Sequence, residues 1–318
     1  MREMNIKNQP PIDYQALVDA VLSDADVYRG HGDVACHIPA LAQVDPKKLG
    51  IAIALADGST YVAGDGDQPF SIQSISTIFT LSITLGHIGA ALWNHVGREP
   101  AGSAFNALVQ LEEEKGKPRN PLTNAGAIAV CDRLIGRDTA DDAVEEILAF
   151  LRERSGDASI SIDERVAMSE SKAGSLNRSL AHFLASFGNL QHRVEDVLSV
   201  YFRQCAIAMS CRQLARAALY LAFDGTEPAT REEICLPSRS RRINALMLTC
   251  GHYDNSGDVA FRTGLPGKSG SGGGILATVP GIGAVAVWSP GLNAARTSTA
   301  GLVALEKLVE RTGWSIFV

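Results

Sequence analysis

The chain has 318 residues, of which 46% are hydrophobic, 20% charged and 6% aromatic, a length and balance that suit a large folded core and exclude a disordered chain. With a formal charge of -6 and a pI near 5.7, it lacks the clustered Lys and Arg on which nucleic-acid affinity depends. The basic stretch "SRSRR" (Arg239, Arg241, Arg242) is short and reads as a solvated helix start.

The first residues, "MREMNIKNQPPIDY", have no apolar run of the kind that leads a secreted chain, so a cytoplasmic location is expected. Residues 12–25 place Leu17, Val18 and Val21 at helical spacing. "KKLGIAIALADGSTYVAGDGD" follows as strand, Asp-Gly turn and strand.

From Ile75 to Trp93 the chain is almost long and apolar enough to span a bilayer. It is interrupted by Ser76, Thr77, Thr80, Ser82, Thr84, Gly86, His87 and Gly89, which makes it a core helix and leaves no membrane role. Residues 71–250 carry mainly helical periodicity. In "DDAVEEILAFLRER" Asp141 or Asp142 is the expected cap and Ile147, Leu148 and Leu151 the buried face. Near the end, "GDVAFRTG" and "GGGILATVPGIGAVAVWSP" read as three strands, and "TSTAGLVALEKLVERTG" as a closing helix.

These elements predict an α+β fold. Residues 1–70 and 251–318 together form an antiparallel sheet flanked by helices, and residues 71–250 form an inserted helical lobe of the same compact unit. A cleft between the two is where a small ligand would bind. Six cysteines at 36, 131, 205, 211, 235 and 250 have neither C-x-x-C pairing nor zinc spacing, and read as reduced core residues with no metal.

Three places carry the chemistry. In "GDGDQPFSIQSIST" Ser74 opens the buried helix, where unpaired N–H groups and the helix dipole would stabilise an oxyanion; Ser71, Ser74 and Ser76 as simple caps is the alternative. In "GLPGKSGSGGGI" Lys268-Ser269-Gly270 starts a strand, and Gly272, Gly273 and Gly274 let a backbone approach a ligand closely. The middle offers Asn120 and Asn124, Glu170 and Asn177, and Tyr201. A carboxylate for an ammonium, with amides and a phenol for a carboxylate, suits the head group of a free amino acid.

Six segments occur in order: "PFSIQSIS", "EPAGSAFNALVQLE", "GKPRNPLTNAGAI", "QCAIAM", "TCGHYDNSG" and "GLPGKSGSGGGI". With them the chain, from about residue 30 to its last helix, resembles the serine-dependent glutaminase family, whose fold is that of the β-lactamases and DD-peptidases. The resemblance implies hydrolysis of L-glutamine to L-glutamate and ammonia, with no cofactor, commonly by a homotetramer. It implies Ser74 as nucleophile, and Gln73, Asn124, Glu170, Asn177 and Tyr201 as substrate-holding residues. It implies Tyr253 as the tyrosine that assists proton transfer, and Ser271 as the residue whose N–H completes the oxyanion site.

The sequence departs from the family at three points. The family's Ser-x-x-Lys is here Ser74-Ile75-Ser76-Thr77; its "ADYIPQL" is "VACHIPAL", with His37 for tyrosine; and its "DRN" is "SLN" before Arg178. A threonine hydroxyl is no base at neutral pH, so Lys268, His37 or Tyr253 must take the serine's proton. Two further readings keep the same pocket: a regulatory homologue that binds glutamine with weakened turnover, and a hydrolase of β-lactams or esters, for which Glu170 and Tyr201 have no use.

Overall fold

The computed structural model describes residues 12–101 and 108–317. The first eleven residues, and the "GSAFNA" part of the "EPAGSAFNALVQLE" motif, lie outside these.

Among the described residues, eight strands make two sheets: β1 (Gly50–Leu55), β2 (Thr60–Gly64), β3 (Phe70–Ser71), β4 (Ser161–Ile162), β5 (Ile207–Met209), β6 (Gly267–Ser269), β7 (Gly274–Val279) and β8 (Gly283–Trp288). The larger sheet runs β2-β1-β8-β7-β6 and is antiparallel throughout. Strands from early and late in the chain thus lie side by side, with Ala52 opposite Ala286.

Strand alternation explains the sheet's two coverings. Ile51, Ile53, Ile275, Val285 and Val287 pack on one side with the helices Tyr14–Ala25 and Thr299–Thr312. Ala52, Ala54, Ala284 and Ala286 face the other way. Their small side chains let the helix Cys211–Ala217, with its own Ala215 and Ala217, pack close.

The helix expected after Ser74 is Ser76–Ile88. The Gln73–Asn94 stretch has membrane-like hydropathy, yet two-thirds of it is buried among other helices, as a core helix should be. Five cysteines are buried, while Cys36 is exposed and departs from the expected core placement.

Two local expectations are corrected. "GDVAFRTG" forms the helix Ser256–Thr263, not a strand, and Gly264 stops it in the left-handed conformation; Ser256, Val259 and Thr263 are its buried positions, which is helical spacing. The third strand is the short β6. The helix Ala140–Ser155 is capped by Thr139, not by Asp141 or Asp142. Asp142 instead returns a bond to the Thr139 backbone, completing a capping box.

Candidate active site

Ser74 lies in a 3-10 turn, Gln73–Ile75, that leads into the Ser76–Ile88 helix. The turn is pinned from two sides. The Ser71 hydroxyl donates to the Cys205 carbonyl at 2.9 Å and the Ile72 N–H to the Ile207 carbonyl at 3.0 Å, which ties the turn to β5. On the opposite side runs the Gly270–Gly274 loop.

Two glycines of that loop closely approach the backbone of the turn. A Cβ at Gly272 would lie 2.1 Å from the Ser71 carbonyl oxygen, and one at Gly270 would lie 2.4 Å from that of Ile72. Only glycine allows the loop to seat against the turn bearing Ser74. Phe70 stacks on Trp288 at 4.9 Å and 5°, holding the small sheet against the large one.

Ser74 opens onto a cavity of about 220 Å³ lined also by His37, Gln73, Asn124, Glu170, Asn177, Tyr201, Tyr253, Ser271 and Arg296. Every substrate-holding residue that the resemblance implies is therefore in one pocket, delivered by separate elements. Asn124 starts the Asn124–Ile135 helix, Glu170 lies on Glu164–Ala173, Asn177 on Ser175–Ser186 and Tyr201 on Val194–Cys205. The Asn124 amide donates to Asn177 Oδ1 at 3.0 Å.

Asn120 is a builder of this arrangement and does not line the pocket. Its Oδ1 accepts the N–H groups of Leu122 and Thr123 at 2.9 and 3.1 Å, shaping the turn before Asn124. Arg178, next to Asn177, donates to the Ser171 carbonyl at 2.5 Å. The arginine after Asn177 thus ties its helix to the preceding one.

The Gln73 side chain is fixed at both ends. Its amide nitrogen donates to Ser71 Oγ at 2.9 Å and to the Cys205 carbonyl at 3.1 Å, and lies 3.4 Å from Glu170 Oε2. Its oxygen accepts from Ser271 Oγ at 3.1 Å, which places Ser271 beside the turn bearing Ser74. Three of the six described non-glycine residues with positive φ line this pocket: Gln73 (49°), Tyr253 (53°) and Arg296 (62°). Such backbone costs on the order of 1–3 kcal/mol per residue and gathers at functional sites.

Glu170 is buried, and loss of hydration raises its pKa to about 8 against the opposing hydrogen bond from Gln73. A buried carboxyl of this kind is neutral until a cation arrives to pair with it. The Tyr253 hydroxyl shares a hydrogen bond with Ser74, but burial still raises its pKa to about 12, so the phenol is protonated when the pocket is at rest.

Thr77 is buried one helical turn beyond Ser74 and supplies no base. Lys268 does not line the pocket. It is buried behind Tyr253, with Nζ 4.5 Å from the centre of the tyrosine ring and donating to the Ser269 carbonyl at 2.5 Å. Burial lowers its pKa to about 7. His37 is exposed at the rim, where local crowding and the charge of Arg296 lower its pKa.

Two residues of the site were not singled out from the sequence. His252, buried beside Tyr253, meets Ser269 Oγ at 2.6 Å and is held neutral by burial and by Lys268, with a pKa of about 3. Its position in "TCGHYDNSG", next to Tyr253, was the available signal. Arg296 lies in the "LNAARTS" loop, where nothing in the local pattern marks it.

A serine bonded to a tyrosine shares this pocket with a buried carboxyl and a pair of amides, an arrangement with the groups that amide hydrolysis of a small zwitterion needs. The glutaminase family's sequence profile matches residues 32–317. A glutaminase of Rhizobium rhizogenes is 56% identical over 96% of this chain and 99% of its own length. One of Rhodopseudomonas palustris is 58% identical over 90% and 92%. Among solved structures, a probable glutaminase from Bacillus subtilis complexed with 6-diazo-5-oxo-L-norleucine superposes with a TM-score of 0.87 at 30% identity, covering 98% of this chain and 99% of that one. The chain belongs to the glutaminase family.

Proposed function

We propose that this protein hydrolyses L-glutamine to L-glutamate and ammonia through an ester on Ser74. The observation that carries the reading is the single pocket in which Ser74 and Tyr253 face Glu170, Asn124, Asn177 and Tyr201. Glu170 takes the substrate ammonium and ionises as it does so, while the amides and Tyr201 hold the carboxylate. This sets the side-chain amide against Ser74, with the N–H groups of Ser74 and Ser271 receiving the oxyanion.

Lys268 replaces the base that Thr77 cannot supply. Its amine is substantially neutral near pH 7 and packs on the tyrosine bonded to Ser74. The serine's proton passes through Tyr253 to Lys268, and a proton returns by the same route to the departing nitrogen. Water then attacks the ester, releasing glutamate and restoring Ser74. His37 is a second reading for the base, favoured by its place on the pocket wall.

Ammonia release from glutamine by the purified protein, across a pH series, is the test. A rate rising through about pH 7 that Lys268→Met abolishes and His37→Ala leaves intact supports Lys268; the opposite pair of results moves the role to His37. Glutamine binding by calorimetry with no ammonia released would make the protein a glutamine-binding homologue instead. Two further parts of the reading come from resemblance and composition: a homotetramer, which sedimentation equilibrium would measure, and a cytoplasmic location, supported by six free cysteines.

A further inference from the structure

The rim beside Ser74 carries a guanidinium placed there by an expensive backbone. Arg296 sits at φ 62° in a turn organised by Asn293. The Asn293 side chain accepts the N–H groups of Ala295 and Thr297 at 2.9 and 3.1 Å, and its carbonyl accepts the Arg296 N–H at 2.9 Å. This loop is joined to the segment bearing His37 by reciprocal Asp33–Leu292 backbone bonds, both 3.0 Å. Two chain segments are thereby locked into one rim, with His37 and Arg296 both facing the cavity.

The position of that charge along the pocket decides what it meets. Arg296 acts electrostatically on Tyr253 and on His37, whereas the shift of Glu170 is caused by burial and Gln73. The ammonium end of a bound substrate lies at Glu170, on the buried floor. Arg296 lines the same cavity as Ser74 and Tyr253, and on the proposed reaction the bond to the leaving nitrogen breaks at Ser74. A guanidinium keeps its positive charge across the working pH range, so Arg296 brings a permanent charge to this rim.

Resting on the reading of Ser74 and Glu170 given above, we propose that the Arg296 rim is a subsite for a carboxylate carried on the leaving amine. The substrate class then extends to γ-glutamyl-amino acids. In that reaction the Ser74 Oγ–Cδ bond forms, the Cδ–N bond breaks, and the amino acid departs with its nitrogen carrying the serine's proton. Water splits the ester as before, so the sum is γ-glutamyl-amino acid plus water giving glutamate and the free amino acid. A guanidinium is the side chain best shaped to take such a carboxylate with two parallel hydrogen bonds.

The test compares γ-L-glutamylglycine with γ-L-glutamylethylamide, amides of similar size that differ in the charge of the amine half. The unaltered protein should favour the glycine compound in kcat/KM by roughly three- to tenfold, since the rim is exposed to solvent, and added salt should shrink the preference. Arg296→Gln should erase it. Arg296→Gly, which suits the left-handed backbone, should erase it as well, separating charge from folding. No preference in the unaltered protein, a preference surviving both variants, or equal losses for glutamine and both amides would overturn the proposal. If no substrate is turned over, calorimetric affinities for the same two amides decide by the same criterion. Glutamine bound without any such preference sinks this inference alone, whereas glutamine neither bound nor cleaved sinks the underlying reading.

Discussion

On the proposed pairing of Glu170 with the substrate ammonium, this residue sets how affinity depends on pH. With a pKa near 8, its carboxyl is about one-tenth ionised at pH 7, and only the ionised form pairs with an ammonium. KM for glutamine should therefore fall by roughly tenfold between pH 7 and 9, levelling above 8. Glu170→Gln should remove the dependence and raise KM by about 10- to 100-fold. A KM flat with pH in the unaltered protein would mean that Glu170 is not the ammonium's partner.

Lys268 makes the complementary case, because a buried amine that serves chemistry opposes folding. Its folded value of about 7 lies below the ordinary 10.5. Folding must therefore lose a proton between those limits, and the penalty grows as pH falls from 10.5 to 7 and is complete below. Lys268→Met should stabilise the protein at pH 6 by on the order of 1–3 kcal/mol and much less at pH 10, read by chemical denaturation, while turnover drops by at least about 100-fold. Restoring the family's base with Thr77→Lys should raise turnover if the remainder of the site is intact; since Thr77 is buried, the variant's fold must be checked by its melting curve.

At the residue scale the sequence revealed chemistry better than position. Glu170, Asn124, Asn177 and Tyr201 stood out as polar residues among apolar neighbours, Ser74 by its place at the start of the buried helix, and all line the pocket. Asn120 stood out for the same reason but shapes a turn, because an amide that organises backbone and one that meets a ligand look alike in a string of letters. His252 and Arg296 were missed since their roles depend on contacts with Ser269 and with the segment of residues 31–38, which are distant in sequence.

Among the elements, those with a strong period were legible. The β1–β2 hairpin has its Ile53–Tyr61 register, and the Thr299–Thr312 helix fell where its apolar spacing put it. "GDVAFRTG" misled because its three β-branched or aromatic residues, Val259, Phe261 and Thr263, alternate as in a strand, whereas packing chose a helix that buries Val259 and Thr263 and leaves Phe261 exposed. The glycine loop after β6 was recognised as unusual, yet its reason was tertiary: it rests on the Ser71–Ile72 backbone. Gly272→Ala should thus push the loop off the nucleophile's turn. A shift of the oxyanion donors by about 1 Å predicts a fall in kcat of roughly 100-fold with a smaller change in KM. Equal kcat in variant and parent would show that the loop can yield without disturbing Ser74.

One face of the sheet built from both ends of the chain shares a core with the helical middle, while its other face packs separately on the terminal helices. The alanine face of β1 and β8 belongs to the same buried cluster as Ile78, Ile128, Leu198 and Tyr220 of the helical region. Phe70 on Trp288, and Ser71 and Ile72 on residues 205–207, fasten the parts again at the site. With the active-site turn clamped between them, neither part can lose its packing without exposing the other's apolar surface. Thermal unfolding should then be one cooperative transition, with equal calorimetric and van't Hoff enthalpies. Occupation of the pocket should raise its midpoint, by about 2.7 kcal/mol of stabilisation at a ligand concentration 100 times Kd. L-Glutamate added to a Ser74→Ala protein provides that measurement without turnover. Two resolved transitions, only one moved by glutamate, would place the pocket within a single part and contradict a shared core.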